Sequence, residues 1–571
     1  MRLNIVKSKN AEQLYIIKSY RENGKSTSKI VEKLGNMDSL LPLHDNDREQ
    51  VIAWAKEQAR IMTEAEKDGT LRVSIPMSEA KQIEMNEKLL FNAGYLFLQK
   101  TFYELGLDKI CTSISNRRQF EFNLTDILSR LIYNRIIHPS SKRSSFAFSK
   151  ELVEAPKHEL HQIYRALDIL SEESDFIQSE VYLHSRKNEK RNTSILYYDC
   201  TNYFFEIEEE SELCKYGHSK EHRPNPIVQM GLFLDGDGIP LAFQIFAGNE
   251  NEQPSLIPLE KQIIKDFSLS RFIVCTDAGL ASAANRKFNT LHNRSYVVTQ
   301  SIKVLKKHLK EWALDPSGWK ISGENKLYDL SQMDESIHAN TVFYKERWIN
   351  ENGLEQRLIV NFSLKYRNYQ RTIRGRQIER AEKIIHRGKS AKTRNPNSPD
   401  RFIDEMALTT DGEIAEQLTM TLNTDRIIQE EEFDGFSAIC TTLEDDASEI
   451  VKINHRRWEI ESAFRVMKSE FKSRPVYVRN TERIKAHFLT CYLSLLVLRV
   501  LEKKLGQSCT TEGLIKTLRS HALRKINGTG FIPAFERTEI TDRLHDIMGF
   551  RTDSEIISNK TMKKILKTTK G

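Results

Sequence analysis

The chain has 571 residues, 39% of them hydrophobic and 29% charged, which is more than one compact core accommodates and points to several domains. Its 86 Lys and Arg against 79 Asp and Glu leave a formal charge of +7, so the distribution of charge says more about partners than the sum does. Seven cysteines without C-x2-C spacing, and an N-terminus MRLNIVKSKN without an apolar signal core, argue against a disulfide framework, a zinc ribbon and secretion, and predict a reducing, cytoplasmic compartment.

Residues 1–100 mix charged helical stretches with a short polar β-like patch at Leu71–Pro76. Within them SYRENGKSTSKIVEKLG, Ser19–Gly35, has the make-up of a small helix-turn-helix, although a solvated amphipathic face accounts for it equally. From 101 to 192 helical periodicity dominates, in NLTDILSRLIYNRII, with Asn123 or Thr125 as cap, and in LHQIYRALDILSEESDFIQSEVYLHSR. Between them PSSKRSSFAFSK sets Lys142, Arg143 and Lys150 among hydroxyls, a composition that suits phosphate contact and equally an ordinary surface connector.

Residues 193–302 change character. SILYYDCTNYFFEIE, Ser194–Glu208, is an apolar, β-favouring run broken by Asp199, as in a buried strand that presents one carboxylate. Strands at Pro226–Asp235 and Ile239–Ala247 flank Asp235-Gly236-Asp237-Gly238, a hairpin signal. A helix near Ser255–Lys265 leads to RFIVCTDAGL, a strand ending at Asp277 before Gly279, and SYVVTQ, Ser295–Gln300, gives one more strand. For either aspartate alone a turn or helix-capping role explains the position.

Residues 303–435 read as an inserted β-rich domain, with strands near Thr341–Trp348 and Gln356–Ser363, a helix at Arg371–Ile385 and a Pro/Asn/Ser-rich loop. From Lys365 to Arg394 eleven Lys or Arg face only Glu379 and Glu382, so Lys365, Arg371, Arg374 and Arg376 are candidate phosphate contacts on a basic arm; the alternative is a solvated helix face. Residues 436–502 hold the strand GFSAICTT, the cap Asp445-Asp446, the helix NHRRWEIESAFRVMKSEF and the apolar stretch HFLTCYLSLLVLRV, His487–Val500, too short to span a membrane and expected in the core. Beyond 503 the tail is basic and expected to be disordered or to touch DNA or a second protomer.

On a helix of about 100° per residue, Arg457, Glu461 and Lys468 fall within roughly 40° of one another. Ile460, Ala463, Phe464 and Met467 form the neighbouring apolar stripe, while Glu459 and Glu470 turn away. One face thus holds an acid between two cations, which an i,i+4 ion pair of Arg457 and Glu461 also explains. Two strand-borne aspartates and one helix-borne glutamate are the oxygen ligands that a pair of Mg²⁺ ions takes, with Mn²⁺ as a substitute.

The chain here resembles insertion-sequence transposases of the DDE superfamily, of the type with a Y-x2-R-x3-E-x6-K signature and an insertion before the glutamate. Arg457, Glu461 and Lys468 match the last three letters; Asn454 stands where the family has tyrosine. The likeness extends through KYGHSKEHRPNPIVQMGLFLDGDGIPLAFQIFAGNENE, TDAGLASAAN and KSRPVYVRNTERIKAHF, over residues 120 to 500, with 184 residues between Asp277 and Glu461. The resemblance implies an α/β, RNase H-like core of mixed sheet and flanking helices, interrupted by the insertion and preceded by a helical DNA-binding region. It implies a catalytic and metal-binding triad of Asp199, Asp277 and Glu461, and DNA contacts from Arg457, Lys468, Asn454 and Arg465. Activity would be Mg²⁺-dependent cleavage at inverted-repeat ends and strand transfer into target DNA, by a homodimer at the nucleoid. A structure-selective nuclease on the same fold and an idle DNA-binding regulator are the rival readings.

Overall fold

The computed structural model describes every residue except 9–10, 23–24, 68–81, 189, 352, 389–396 and 409–413. Its contacts divide the chain into two units, Met1–Glu87 and Lys88–Gly571. The expected β-like patch at Leu71–Pro76 lies outside the described residues.

The first unit is an antiparallel sheet of β1 (Arg2–Ser8), β2 (Ala11–Glu22) and β3 (Lys25–Asn36), followed by helix α1 (Arg48–Lys67). Leu14, Met37, Leu40, Val51 and Ala55 form its core. This corrects the helix-turn-helix expectation: Ser19–Gly35 belongs to a β-hairpin, with Ser19 opposite Ser28 and Glu22 opposite Lys25. The segment carries Thr27, Ile30 and Val31, whose branched side chains favour strand, and the Asn-Gly dipeptide is itself a hairpin signal.

The second unit is built on a nine-stranded sheet. Its helical lead-in, after β4 (Leu90–Asn92), includes α2 (Leu124–Ile137), α3 (Lys142–Ser149) and α4 (Leu160–Glu172). Asn123 caps α2 by accepting from the Asp126 amide, as expected. The Ser-rich segment read as a connector is instead largely helical: α3 starts at its cap Ser141, and Lys142 is buried.

Strands β5 (Ile195–Phe204), β6 (Ile227–Asp235) and β7 (Pro240–Ala247) form an antiparallel meander. A helix at Leu256–Asp266 then leads to β8 (Ile273–Thr276), and a helix at Ala283–Phe288 to β9 (Ser295–Gln300). The β8 strand lies parallel to β5, and β9 parallel to β8. Sheet order is β10-β11-β12-β15-β9-β8-β5-β6-β7, with β10 (Lys320–Ile321), β11 (Val342–Glu351), β12 (Leu354–Ser363) and β15 (Phe436–Thr441). The strands of 303–435 that read as a separate β-rich insertion therefore continue the central sheet, because β12 pairs with β15 and buries Leu358, Ile359 and Val360. Outside the sheet this segment supplies helix α5 (Leu364–Arg387) and the two-stranded β13 (Ile403–Leu408) and β14 (Ile414–Leu422).

The two faces of β5 enter different cores, as strand alternation requires. Leu196, Tyr198 and Cys200 pack with Leu259 and Ile263 of the helix 256–266. Tyr197 and Tyr203 pack on the other side with α6 (Ala447–His455), α7 (Trp458–Arg465) and α8 (Thr481–Leu505), through Ile450, Ile460, Phe464 and Leu489. By length and composition α8 is long and apolar enough to cross a membrane, but 89% of its most apolar window is buried in the protein. It is the core helix that its all-round apolarity predicts.

The tail beyond Leu505 is ordered, against expectation. Strands β16 (Ala522–Ile526), β17 (Gly530–Pro533) and β18 (Ile557–Ser558) join β4 in a four-stranded sheet of order β18-β17-β16-β4. Leu514, Leu518, Leu544 and Met548 enter the main core. A basic composition hid this, because the apolar residues are spaced one per helical turn between the lysines and arginines.

Candidate functional site

Parallel pairing of β5 with β8 aligns Ile195 with Ile273, Leu196 with Val274 and Tyr197 with Cys275. Asp199 follows two residues after Tyr197, on the same face of β5, and Asp277 follows directly after the last residue of β8, near enough for its charge to act on Asp199. Each strand is apolar up to its carboxylate because it is buried; Asp199 lies within β5, which runs on to Phe204, and Asp277 stands just past the end of β8. Asp277 also does the turn work expected of it, since its Oδ1 accepts from the Leu280 amide at 3.0 Å. A Cβ on Gly279 would sit 3.4 Å from both Asp277 oxygens, so the chain passes close over this carboxylate.

Burial pushes the Asp199 carboxyl up to about 6; the charge of Asp277 adds to the rise, while Lys220, the Cys200 amide and Arg457 oppose it. Lys220 stands over Asp199, its ammonium donating to the Cys200 carbonyl at 2.6 Å and pairing with Glu252 at 2.9 Å. Lys468 donates to Thr201 Oγ1 at 2.7 Å, two residues along β5 from Asp199 and on the same face. Burial, with Lys220 nearby, lowers its ammonium to about 8. Both lysines therefore bring positive charge to a half-buried acidic pair.

The signature helix differs from the continuous one expected over Asn454–Phe471. It breaks at Arg456 and Arg457, between α6 and α7, and Arg457 is the residue preceding α7. From Val466 to Glu470 it widens into a π turn, where the Phe471 amide donates to the Val466 carbonyl. The equal 100° steps that grouped Arg457, Glu461 and Lys468 thus fail at both ends. Lys468 reaches β5, whereas Glu461, its side chain 60% exposed, pairs with Arg457 at 3.5 Å. The i,i+4 reading of that pair holds in this conformation.

The three acids do not close into one cluster. Among the described residues, the one set of three His, Cys, Asp or Glu ligand atoms within 4.8 Å of one another is Asp542, His545 and Asp553. Its carboxylates are taken by Arg537 and Arg551, which makes it an ion-pair network.

The other candidates divide. Asn454 accepts from Thr299 Oγ1 of β9 at 3.1 Å, so it ties α6 to the sheet. Arg465 is exposed on a cleft lined by Glu459, Ser462 and Arg499, away from Lys468. Lys365 and Arg376 are exposed on α5. Arg374 is not a free cation: it is buried against Asp434, with Glu431 at 3.5 Å, and Arg371 reaches the same Asp434 at 3.4 Å. The basic run is therefore partly an internal tether, because α5 must be fastened to the loop before β15. Lys389, Lys392 and Arg394 lie outside the described residues.

Sequence reading did not single out Lys220, Glu221, Glu252 or Thr201. Glu221 pairs with Lys468 at 3.7 Å and with Arg474. Lys220, Glu221 and Glu252 lie in the matched segment 215–252, but nothing periodic says that its loop folds back over β5.

A family model described as the transposase DDE domain matches residues 204–497, more than half of the chain, and the chain belongs to that family. The match starts inside β5, past Asp199, and spans Asp277 and Glu461. A second model, described as the IS1634 family transposase, N-terminal domain, matches residues 3–69 and sets the chain among insertion-sequence transposases. No curated protein matches the chain. Similar solved structures include a piggyBac transposase synaptic complex with hairpin DNA, at 10% identity and TM-score 0.35 over 83% of this chain and 85% of that one. They also include a Mos1 transposase paired-end complex with the left transposon end, at 13% identity and TM-score 0.14 over 42% and 66%.

Proposed function

We propose that this transposase binds the inverted-repeat ends of its own element as a homodimer at the nucleoid, cleaves them in Mg²⁺ and joins the freed 3′-hydroxyl to target DNA. The observation that carries the proposal is the pair Asp199 and Asp277 on the neighbouring strands β5 and β8, where burial and the charge of Asp277 hold the Asp199 carboxyl near 6, with Lys220 and Lys468 close by. The sheet agrees with an RNase H-like layout: an antiparallel meander, then two parallel strands each reached through a helix.

An acidic pair on neighbouring strands is oxygen-donor chemistry suited to a hard divalent cation. Asp199, Asp277 and Glu461 would hold two Mg²⁺ ions, which supply Lewis acidity to a phosphodiester and lower the pKa of water. Glu461 must leave Arg457 to join them, and its exposure leaves that movement unobstructed. Released, Arg457 would bind a strand phosphate, while Lys468 on Thr201 offsets charge next to Asp199.

The test is the purified chain with DNA carrying its element's ends and Mg²⁺. Asp199→Asn and Asp277→Asn, which keep shape and remove charge, reduce nicking and strand transfer to background while end binding persists. Cleavage at wild-type rate by either variant contradicts the assignment. Nicking without any joined product supports the structure-selective nuclease instead.

A further inference from the structure

A cavity of about 690 Å³ opens where α3 and α8 both begin, lined by Ser140, Ser141 and Lys142 on one side and Arg479, Asn480 and Arg483 on the other. Arg135, Lys472 and Arg474 complete a wall that contains no Asp or Glu. Six cations face one space, and two helix N-termini add their partial positive charge to it.

Several of these charges have nothing to balance them. Lys142 is 6% exposed, yet among the described residues its ammonium has neither a hydrogen bond nor an ion pair. Arg135 is 5% exposed, and its Nε is without a partner while Nη1 donates to the Phe471 carbonyl. Lys472 and Arg479 are exposed and likewise have no ion-pair partner among the described residues. Among the described residues, only Arg474 and Arg483 of this wall meet acids, Glu221 and Asp168, from outside the cavity. Burial and the neighbouring Arg135 lower the Lys142 ammonium to about 7. An uncompensated buried cation is costly, and a fold that gathers several around a void stabilises an anion there.

We propose that this cavity is a phosphate-binding pocket for a nucleic-acid strand, separate from the Asp199–Asp277 pair. Tyr477, 67% exposed, and Tyr164, against which the Arg483 guanidinium lies at 5.2 Å, give the rim flat aromatic surface for a sugar or base. The pocket is linked to the acidic pair through one wall: Arg474 holds Glu221, Glu221 meets Lys468, and Lys468 is bonded to Thr201 on β5. A strand seated here would lie alongside that acidic pair. The inference rests on the reading of the chain as an enzyme acting on DNA, and names where one phosphate is gripped.

The full chain is titrated in EDTA with fluorescein-labelled 12-nucleotide strands and duplexes ending in 5′-phosphate or 5′-hydroxyl, at several salt concentrations. Lys142→Met, which keeps the buried stem, and Arg479→Gln each weaken binding about five- to tenfold and reduce the salt slope by about one. Lys265→Gln, the same loss of charge at an exposed site on the helix 256–266, stays within about twofold. A loss confined to the 5′-phosphorylated probes assigns the pocket to a terminal monoester, and equal loss on both to an internal diester. Affinities of Lys142→Met and Arg479→Gln no lower than that of Lys265→Gln overturn the proposal; if Lys142→Met loses its native circular dichroism, Arg479→Gln decides. Because these assays contain no metal, failure of the cleavage scheme at Asp199 leaves their outcome distinguishable.

Discussion

Glu260, on the helix 256–266, has no exposed surface; one oxygen accepts from Asn289 at 2.9 Å and the other has no partner. Burial pushes its carboxyl up to about 8, with Asn289 and Arg294 opposing the rise. In the folded state it therefore stays protonated over a range where the unfolded chain has released the proton, so its contribution to stability is full below about pH 4.5 and is lost as pH rises through 8. Glu260→Gln should match the wild type near pH 4 and exceed it at pH 9 in unfolding free energy from urea titration, by roughly 3 to 5 kcal/mol if the whole shift is expressed. A wild-type advantage at pH 9 would show that the buried carboxylate has a partner when charged. Glu260 and Asp199 also mark what single residues disclose. Asp199 and Asp277 stood out because one interrupts an apolar strand and the other follows the end of one, whereas Glu260 lies in a helix whose polar and apolar residues alternate normally, so its burial had no local sign.

At the scale of elements, the strands and helices from Ser194 to Gln300 were legible because each carries its own period and its own punctuation, down to the Asp235–Gly238 turn. What could not be read was where the signature helix breaks and widens. That depends on Arg456 and Arg457 crossing from α6 to α7 and on Ser473 Oγ donating to the Met467 carbonyl at 2.6 Å, contacts set by tertiary packing. The basic run on α5 misled for a related reason, since composition counts charges without their partners. Arg374→Met leaves Asp434, 4% exposed, with only the longer contact to Arg371. Breaking a buried pair on one side costs about 3 kcal/mol or more, and replacing both sides returns most of it. The single variant should lower the urea midpoint accordingly with an unchanged m-value, and Arg374→Met/Asp434→Leu should restore it. Weakened DNA binding by Arg374→Met with intact stability would return Arg374 to the phosphate contacts.

For the whole molecule, the C-terminal segment and the N-terminal unit make opposite contributions. Among the described residues, Leu14, Met37, Leu40, Val51 and Ala55 form a cluster that draws on the first unit, whereas the cores around the nine-stranded sheet draw on residues after 88. The segment after Leu505 is woven into the second unit. Ala522, Leu523 and Arg524 pair with β4, the rings of Phe97 and Phe550 stack at 5.1 Å, Gln99 donates to Thr569, and Lys100 donates to the Met548 carbonyl. At Gly94 the backbone approaches Leu518 so closely that a Cβ would lie 2.0 Å from its carbonyl oxygen. Each fully buried Leu, Phe or Met adds about 1.5 to 3 kcal/mol. Losing Leu514, Leu518, Leu523, Leu544, Met548 and Phe550 together therefore exceeds much of the roughly 5 to 15 kcal/mol by which a domain is stable. A chain ending at Leu505 should lose its near-ultraviolet circular dichroism and bind a hydrophobic dye, while a chain of 88–571 keeps the main cooperative transition within a few degrees of the full protein. A 1–505 chain that melts cooperatively near the wild-type temperature would show that the tail packs onto a core already complete.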